Sequence, residues 1–227
     1  MFGNRRDFLL ATSGAMALLP RFGYASATWE DRNPWEWTPQ DIQTVLNHSA
    51  WVREVSLEIN SLVDTSGRAK PKSSRPNHGL PTEFKAVVRW ESGLPVRLAR
   101  KTATLPDKGV GQYMVSVSRL PLEFIEQSSG NGTISHDQGA GLDKTALAER
   151  FAKNSLIERV GKDPIKANHA EWVEADFSPR VVIFFPLGEK PIQPEDREVD
   201  LVSQIGALVI RAKFFLKDMV YRDRLEL

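Results

Sequence analysis

The sequence predicts an α+β fold: a mainly antiparallel β-sheet in a sandwich-like arrangement, with about two helices. Apolar and polar residues alternate through much of the chain with a period of two, which is typical of half-buried strands. Successive strand-like segments are joined by short connections that contain Pro, Gly or Asp, and short connections favour antiparallel neighbours. A length of 227 residues with 41% hydrophobic content suits one domain, which we expect to span residues 28–227.

The first helix is predicted from Pro39 to about His48. Thr38 is a good N-cap, and Pro39 suits the first helical position because it needs no backbone N–H partner there. Ile42 and Val45 lie on one apolar face of this helix.

Strands are predicted next in the segments VREVSLEINSLV, FKAVVRWE and QYMVSVSRL. In the second segment Phe84, Ala86, Val88 and Trp90 share one side of the strand. The turn SGLP and the short basic piece VRLARKT are expected to connect this strand to the third. A stretch rich in Gly, Pro, Ser and basic residues, near residues 64–82, is expected to form a mobile loop.

The second helix is predicted in GLDKTALAERFAKNSLIERVG, after another mobile loop near residues 127–142. Asp143 can cap this helix, Leu147 and Phe151 share a face, and Gly161 can end it. The second half of the segment also suits a strand followed by a turn, and that alternative stays open.

The rest of the chain is predicted to be strands, in EWVEADF, RVVIFFPL, EVDLVSQI, ALVIRAKFFL and MVYRDRLEL. The run VVIFFP is apolar on both faces, which indicates a central strand that is covered on both sides.

The charge balance and the absence of cysteine exclude several classes of function. The formal net charge is +1, and without residues 1–27 the chain carries 27 basic and 28 acidic residues. Such a balance argues against a general nucleic-acid binder, which needs a basic excess. With no cysteine in the chain, disulfides, thiolate metal sites and a cysteine nucleophile are excluded.

Residues 1–27 have the three parts of an export signal: a basic start, an apolar run and a short segment of small residues. Ala25 and Ala27 form an A-x-A cleavage site. The apolar run, FLLATSGAMALL, is too short to span a membrane, which takes about 20 residues. We therefore expect cleavage and no stable membrane span afterwards.

The start of the chain resembles a twin-arginine signal peptide at Arg5, Arg6, Phe8 and Leu9. The resemblance implies the twin-arginine (Tat) translocase as a partner during export, and a periplasmic or otherwise extracytoplasmic location. It also implies that the mature domain folds before it crosses the membrane. A general secretory signal that carries two arginines is the alternative.

The glycine-rich segment GNGTISHDQGAGLDKT holds the catalytic candidates, His136 and Asp137. His136 could act as a lone general base. The segment is not a phosphate-binding P-loop, because Gln138 and Asp143 occupy the positions that need glycine. Ser135, His136 and Asp137 are adjacent, so their side chains diverge and do not form a triad.

No metal or cofactor is expected. The four histidines His48, His78, His136 and His169 are far apart, so no pair shares a helical face as zinc ligands do. No cofactor fingerprint appears in the sequence. A zinc site assembled from distant positions stays an alternative, and so does a cofactor-loaded protein, because the twin-arginine route carries folded cargo and often cofactor enzymes.

Three tryptophans are candidates for ligand binding: Trp29, Trp35 and Trp37, in the polar, proline-containing segment that opens the mature chain. Flat aromatic faces suit sugar rings and extended peptides. The alternative is that these rings tie the opening segment onto the domain.

Three segments of the mature part, VVRWESGLPVRLA, FFP and KFFLKDMVYRDRLEL, resemble a family of exported bacterial proteins with no known activity. We expect an exported, non-enzymatic domain that binds a partner protein or a cell-envelope ligand such as a glycan. The alternative is a periplasmic hydrolase with a site near His136.

Replacing Arg5 and Arg6 together by Lys should stop export, because the twin-arginine route depends on the arginine pair. Immunoblots of fractionated cells would show the precursor retained in the cytoplasm, while an Arg97→Lys control in the mature part is exported normally. Undiminished export of the double variant would assign the chain to the general secretory route.

Overall fold

The computed structural model describes residues 29–59, 84–100, 111–122, 125, 143–175, 178–206 and 208–227. The predictions for the signal peptide at residues 1–27 and for the mobile loops near 64–82 and 127–142 lie outside these residues.

Three helices are found in the described ranges: α1 (Pro39–His48), α2 (Leu94–Ala99) and α3 (Lys144–Asn154). Helix α1 has the predicted bounds. Helix α2 corrects the prediction that a turn and a basic piece connect two strands. Its single apolar face, with Val96 and Ala99 buried, is too short to give a helical period in the sequence. None of the described helices is long and apolar enough to cross a membrane.

A capping box fixes the start of helix α1. The Thr38 hydroxyl accepts a hydrogen bond from the Asp41 backbone N–H at 3.1 Å, and the Asp41 carboxylate accepts one from the Thr38 backbone N–H at 2.9 Å. Two backbone N–H groups that the helix itself leaves unpaired are thereby satisfied. The predicted cap at Thr38 is confirmed.

The described strands form two five-stranded sheets and one hairpin, and every pairing among them is antiparallel, as predicted. In spatial order the first sheet contains β1 (Val52–Ser56), β3 (Lys85–Trp90), β4 (Gln112–Ser118), β8 (Ser178–Pro186) and β7 (His169–Ala175). In the same way the second sheet contains β2 (Glu58–Ile59), β10 (Leu208–Phe215), β9 (Glu198–Ile205), β5 (Ser155–Arg159) and β6 (Lys162–Lys166). The hairpin consists of β11 (Val220–Tyr221) and β12 (Arg224–Leu225). The predicted mainly-β, α+β fold is confirmed.

Helix α3 ends halfway along the segment GLDKTALAERFAKNSLIERVG. The sequence had left open whether the second half of this segment is helix or strand. Asp143 caps it by accepting a hydrogen bond from the Ala146 backbone N–H at 3.0 Å. The chain then continues directly into β5, and Gly161, at φ +68°, lies in the turn to β6. The strand-and-turn alternative is therefore correct for the second half.

The two sheets share one cluster of buried side chains. Trp90 of β3 meets Phe214 of β10 with ring centroids 5.5 Å apart, and both are completely buried. At Leu57 the chain passes from the first sheet to the second, because β1 and β2 belong to different sheets. Residues 181–185 of β8 are all buried, so this strand is covered on both faces, as its apolar run predicted.

The stability conferred by Asp41 should depend on pH. Hydrogen bonds from the Thr38 backbone N–H and hydroxyl lower the pKa of Asp41, and Arg32 adds to the effect. A carboxyl whose pKa falls on folding stabilises the protein above its unfolded pKa, and the stabilisation is lost as the pH drops through the folded value.

Near neutral pH we therefore expect the wild type to melt at a higher temperature than Asp41→Asn, with the difference shrinking below the ordinary aspartate pKa of 3.8. Circular dichroism melts over a pH series measure it, and Glu36→Gln, at an exposed carboxylate of the same segment, serves as the control. A difference that is independent of pH would refute the role given to the charge.

Candidate functional site

An open groove of about 700 Å³ lies between helix α3 and strand β7, and we call it the α3–β7 groove. Side chains of the helix form one wall, and the strand with the residues just before it forms the other. The groove is lined by, among others, Glu149, Ala152, Lys153, His169, Glu171 and Trp172. Its volume falls within the range of known small-ligand sites.

Helix α3 is held alongside β7 at both ends of the groove. At one end the Lys144 ammonium forms an ion pair with the Glu174 carboxylate. At the other end the Ala167 backbone N–H donates to the Ser155 carbonyl at 3.1 Å. Between these contacts the helix presents the small side chain of Ala152, so the space beside the strand stays open.

Strand β7 lies at the edge of the first sheet. Among the described strands it pairs with β8 alone. Every second backbone N–H and C=O of an edge strand points away from the strand with which it pairs.

The other edges of the two sheets are short, covered or protected. Strand β2 is two residues long, and the edge of β1 lies against β10, where the Arg53 guanidinium donates to the Lys213 carbonyl at 3.0 Å. Strand β6 carries Lys162, Pro164 and Lys166, residue types that discourage further pairing. Strand β7 contains no Lys, Pro or Gly.

The polar groups of the groove are held in place by their neighbours. The His169 ring stacks on Phe184 with centroids 5.5 Å apart, and its Nε2 lies 3.0 Å from the Glu171 carboxylate. The Trp172 indole N–H donates to the Glu174 carboxylate at 3.0 Å. Hydrogen bonds from Lys144 and Trp172 lower the pKa of Glu174, so this carboxylate stays charged.

The predicted binding residues Trp29 and Trp37 lie in the core. Trp29 is 3% and Trp37 is 8% exposed, and their ring centroids are 5.6 Å apart. Trp29 also stacks on Tyr221, and the Trp37 indole donates to the Trp29 carbonyl at 2.9 Å. The burial of Trp29 and Trp37 favours the alternative that these two rings tie the opening segment to the domain.

Of the three predicted binding tryptophans, Trp35 is the one that lies at the surface, with 72% of its area exposed. It sits in a short 3-10 helix, Pro34–Glu36. The catalytic candidates His136 and Asp137, and the signal residues Arg5, Arg6, Phe8, Leu9, Ala25 and Ala27, lie outside the described residues.

Sequence reasoning missed the residues of the α3–β7 groove. The strand containing His169, Glu171 and Trp172 was predicted, but without a ligand role. Its alternation does place Trp172 and Glu174 on one face. No pattern within the strand, however, shows that it lies at a sheet edge, because strand order depends on distant segments.

A cluster of buried charges surrounds Glu91, just after β3. Its carboxylate is completely buried, and the nearest guanidinium nitrogens of Arg100, Arg89 and Arg180 lie 2.8, 3.5 and 3.9 Å away. The Ser116 hydroxyl donates to the same carboxylate at 2.6 Å. Burial lowers the pKa of Arg89, while Glu91 opposes the change.

Buried charges of this kind occur both at functional sites and in structural networks. Here the carboxylate is closed off from solvent, and its partners come from β3, β4, β8 and the end of α2. The Arg89 Nε also donates to the Leu46 carbonyl of α1 at 2.7 Å. The Glu91 cluster therefore connects five elements and serves the fold.

Within the described ranges, no group of three or more His, Asp or Glu side chains is arranged to hold a metal ion. Comparison of the chain with models of known families, with curated proteins and with solved structures finds no match. The resemblance to exported bacterial proteins therefore stays a prediction.

Replacing Glu91 by Ala should lower the free energy of unfolding by about 3–5 kcal/mol, because the buried guanidiniums lose their shared carboxylate. Urea denaturation measures the loss. The control, Glu54→Ala, removes a half-exposed carboxylate that pairs with Lys85 and Arg119, and it should cost less than about 1 kcal/mol. If the two variants lost equal free energy of unfolding, the Glu91 cluster would not have the stabilising role given to it here.

Proposed function

We propose that this chain is an exported, non-enzymatic domain that binds a partner protein or a cell-envelope ligand through the α3–β7 groove. The observation that carries the proposal is the position of the groove, which lies between a helix and β7, the last described strand of the first sheet. Export rests on the signal-peptide pattern of residues 1–27.

The side chains of the groove suit binding. Trp172 packs partly against the core, its N–H is bonded to Glu174, and the part of its ring that lines the groove can make apolar contact. Glu149 and Lys153 are exposed and can form ion pairs with a ligand. The walls are held at both ends by Lys144 and by Ala167, so the site is formed before a ligand arrives.

Photo-crosslinking in living cells tests this proposal. The exported protein would carry benzoylphenylalanine in place of Lys153 in the groove or, as the matched control, in place of the exposed Lys217. Irradiation should give a discrete adduct from the groove position, and mass spectrometry of that adduct identifies a protein, glycan or lipid.

Filling the groove with Ala152→Gln should remove the adduct, because the larger side chain occupies the space beside β7. Glutamine is nearly as good a helix former as alanine, so helix α3 should persist. No adduct at Lys153, or the same products from both positions, would contradict a binding role for the groove.

A further inference from the structure

We propose that the two ends of the mature chain form a clasp that controls removal of the signal peptide. The bond between Ala27 and Thr28 is cut only while Trp29 is out of the core, and the C-terminal hairpin β11–β12 sets how often that happens. This inference rests on the export part of the proposed function. It gives a regulatory role to residues that lie outside the α3–β7 groove.

The first argument is the short stretch of chain between the cleavage site and the folded core. The bond between Ala27 and Thr28 precedes Trp29 by a single residue, and Trp29 belongs to the buried cluster that the two sheets share. Proteolysis of a packed segment proceeds through a locally opened state, so its rate follows the population of that state. A peptidase can therefore bind the chain on both sides of the bond only after Trp29 has left the core.

The second argument is that the last residues of the chain cover Trp29. Tyr221 of β11 stacks on Trp29 with ring centroids 5.9 Å apart and an interplanar angle of 21°. Trp51 meets Trp29 edge to face at 6.4 Å, and its indole N–H donates to the Glu226 carbonyl at 2.6 Å. The hairpin therefore covers Trp29 and is itself fixed to the domain through Trp51, so loss of the hairpin frees the opening segment.

The third argument is the geometry of the hairpin loop. Its two central residues, Arg222 and Asp223, have φ of +50° and +62°, a region that favours glycine and asparagine. Strands β11 and β12 pair with each other and with no other described strand. A small separate hairpin with such a loop can open while the two five-stranded sheets stay folded.

The test measures how fast signal peptidase cuts the full-length precursor between Ala27 and Thr28, with the precursor made by cell-free synthesis without membranes. Tyr221→Leu removes the ring that stacks on Trp29 and lies far from the bond in sequence. It should speed cleavage by about tenfold or more, equivalent to about 1.4 kcal/mol of docking free energy. Asp223→Gly suits the positive φ of the loop better and should slow cleavage by about two- to threefold.

Two control variants separate the clasp from general stability. Val220→Thr changes an exposed neighbour of Tyr221 in the same hairpin and should be cut at the wild-type rate. Leu201→Ala leaves a cavity at a completely buried position of β9 and lowers the melting temperature of the whole domain. Because Leu201 lies outside the clasp, its replacement should leave the cleavage rate unchanged.

Exchange of indole protons with solvent, followed by NMR, reports the docking of the opening segment directly. The Trp37 indole N–H donates to the Trp29 carbonyl at 2.9 Å, so its proton is protected while the segment is docked. In the domain of residues 28–227, Tyr221→Leu should speed this exchange by a factor similar to its effect on cleavage.

Equal cleavage of the wild type and Tyr221→Leu, or an equal acceleration by Leu201→Ala, would overturn the proposal. A second precursor, with residues 24–27 replaced by Ile-Glu-Gly-Arg and cut by factor Xa, does not depend on recognition of the signal peptide. If factor Xa cuts Tyr221→Leu faster while signal peptidase leaves the natural precursor intact, the clasp stands and the export proposal fails. Normal processing that Tyr221→Leu does not alter with either enzyme would keep export and reject the clasp.

Discussion

The carboxylate of Glu91 is completely buried and must remain paired inside the protein. The positions of three strands of the first sheet, β3, β4 and β8, depend on that requirement. Guanidiniums reach it from β3, from β8 and from the end of α2, and the Ser116 hydroxyl reaches it from β4. An ionised group buried without partners costs several kcal/mol. These elements therefore hold their positions together, and Arg89 extends the network to α1.

The position of the groove follows from this arrangement. Strand β8, which carries Arg180 of the cluster, is also the strand on which β7 pairs. Strand β8 lies between β4 and β7, no other described strand pairs with β7, and α3 packs against β7, β8 and β9. The rigid centre is thus a network of charges, while the proposed binding surface lies at the periphery of the same sheet.

Much of the fold was predictable because it depends on neighbouring residues. The cap at Thr38 and the antiparallel strands were found, since caps and side-chain alternation are local patterns. Helix α2 was missed because a helix of six residues is too short to show a period. The sequence left two roles open for Trp29 and Trp37, because a polar surrounding sequence does not show that Tyr221, far along the chain, covers one of these rings.

The candidate site was hardly predictable. Its residues lie on a helix and a strand that were each expected, but no local pattern indicates that the two elements run side by side with a groove between them. The three arginines around Glu91 likewise come from separate elements and look like ordinary surface charges in the sequence.

The sequence by itself determined the class of fold, the caps, the alternation of the strands and the export-signal pattern, because each depends on residues within a few positions of one another. Only the tertiary structure decided that β7 is an edge, that Glu91 meets three guanidiniums and that Trp90 packs on Phe214. These features depend on the order of strands in two sheets, which is set by contacts between distant parts of the chain.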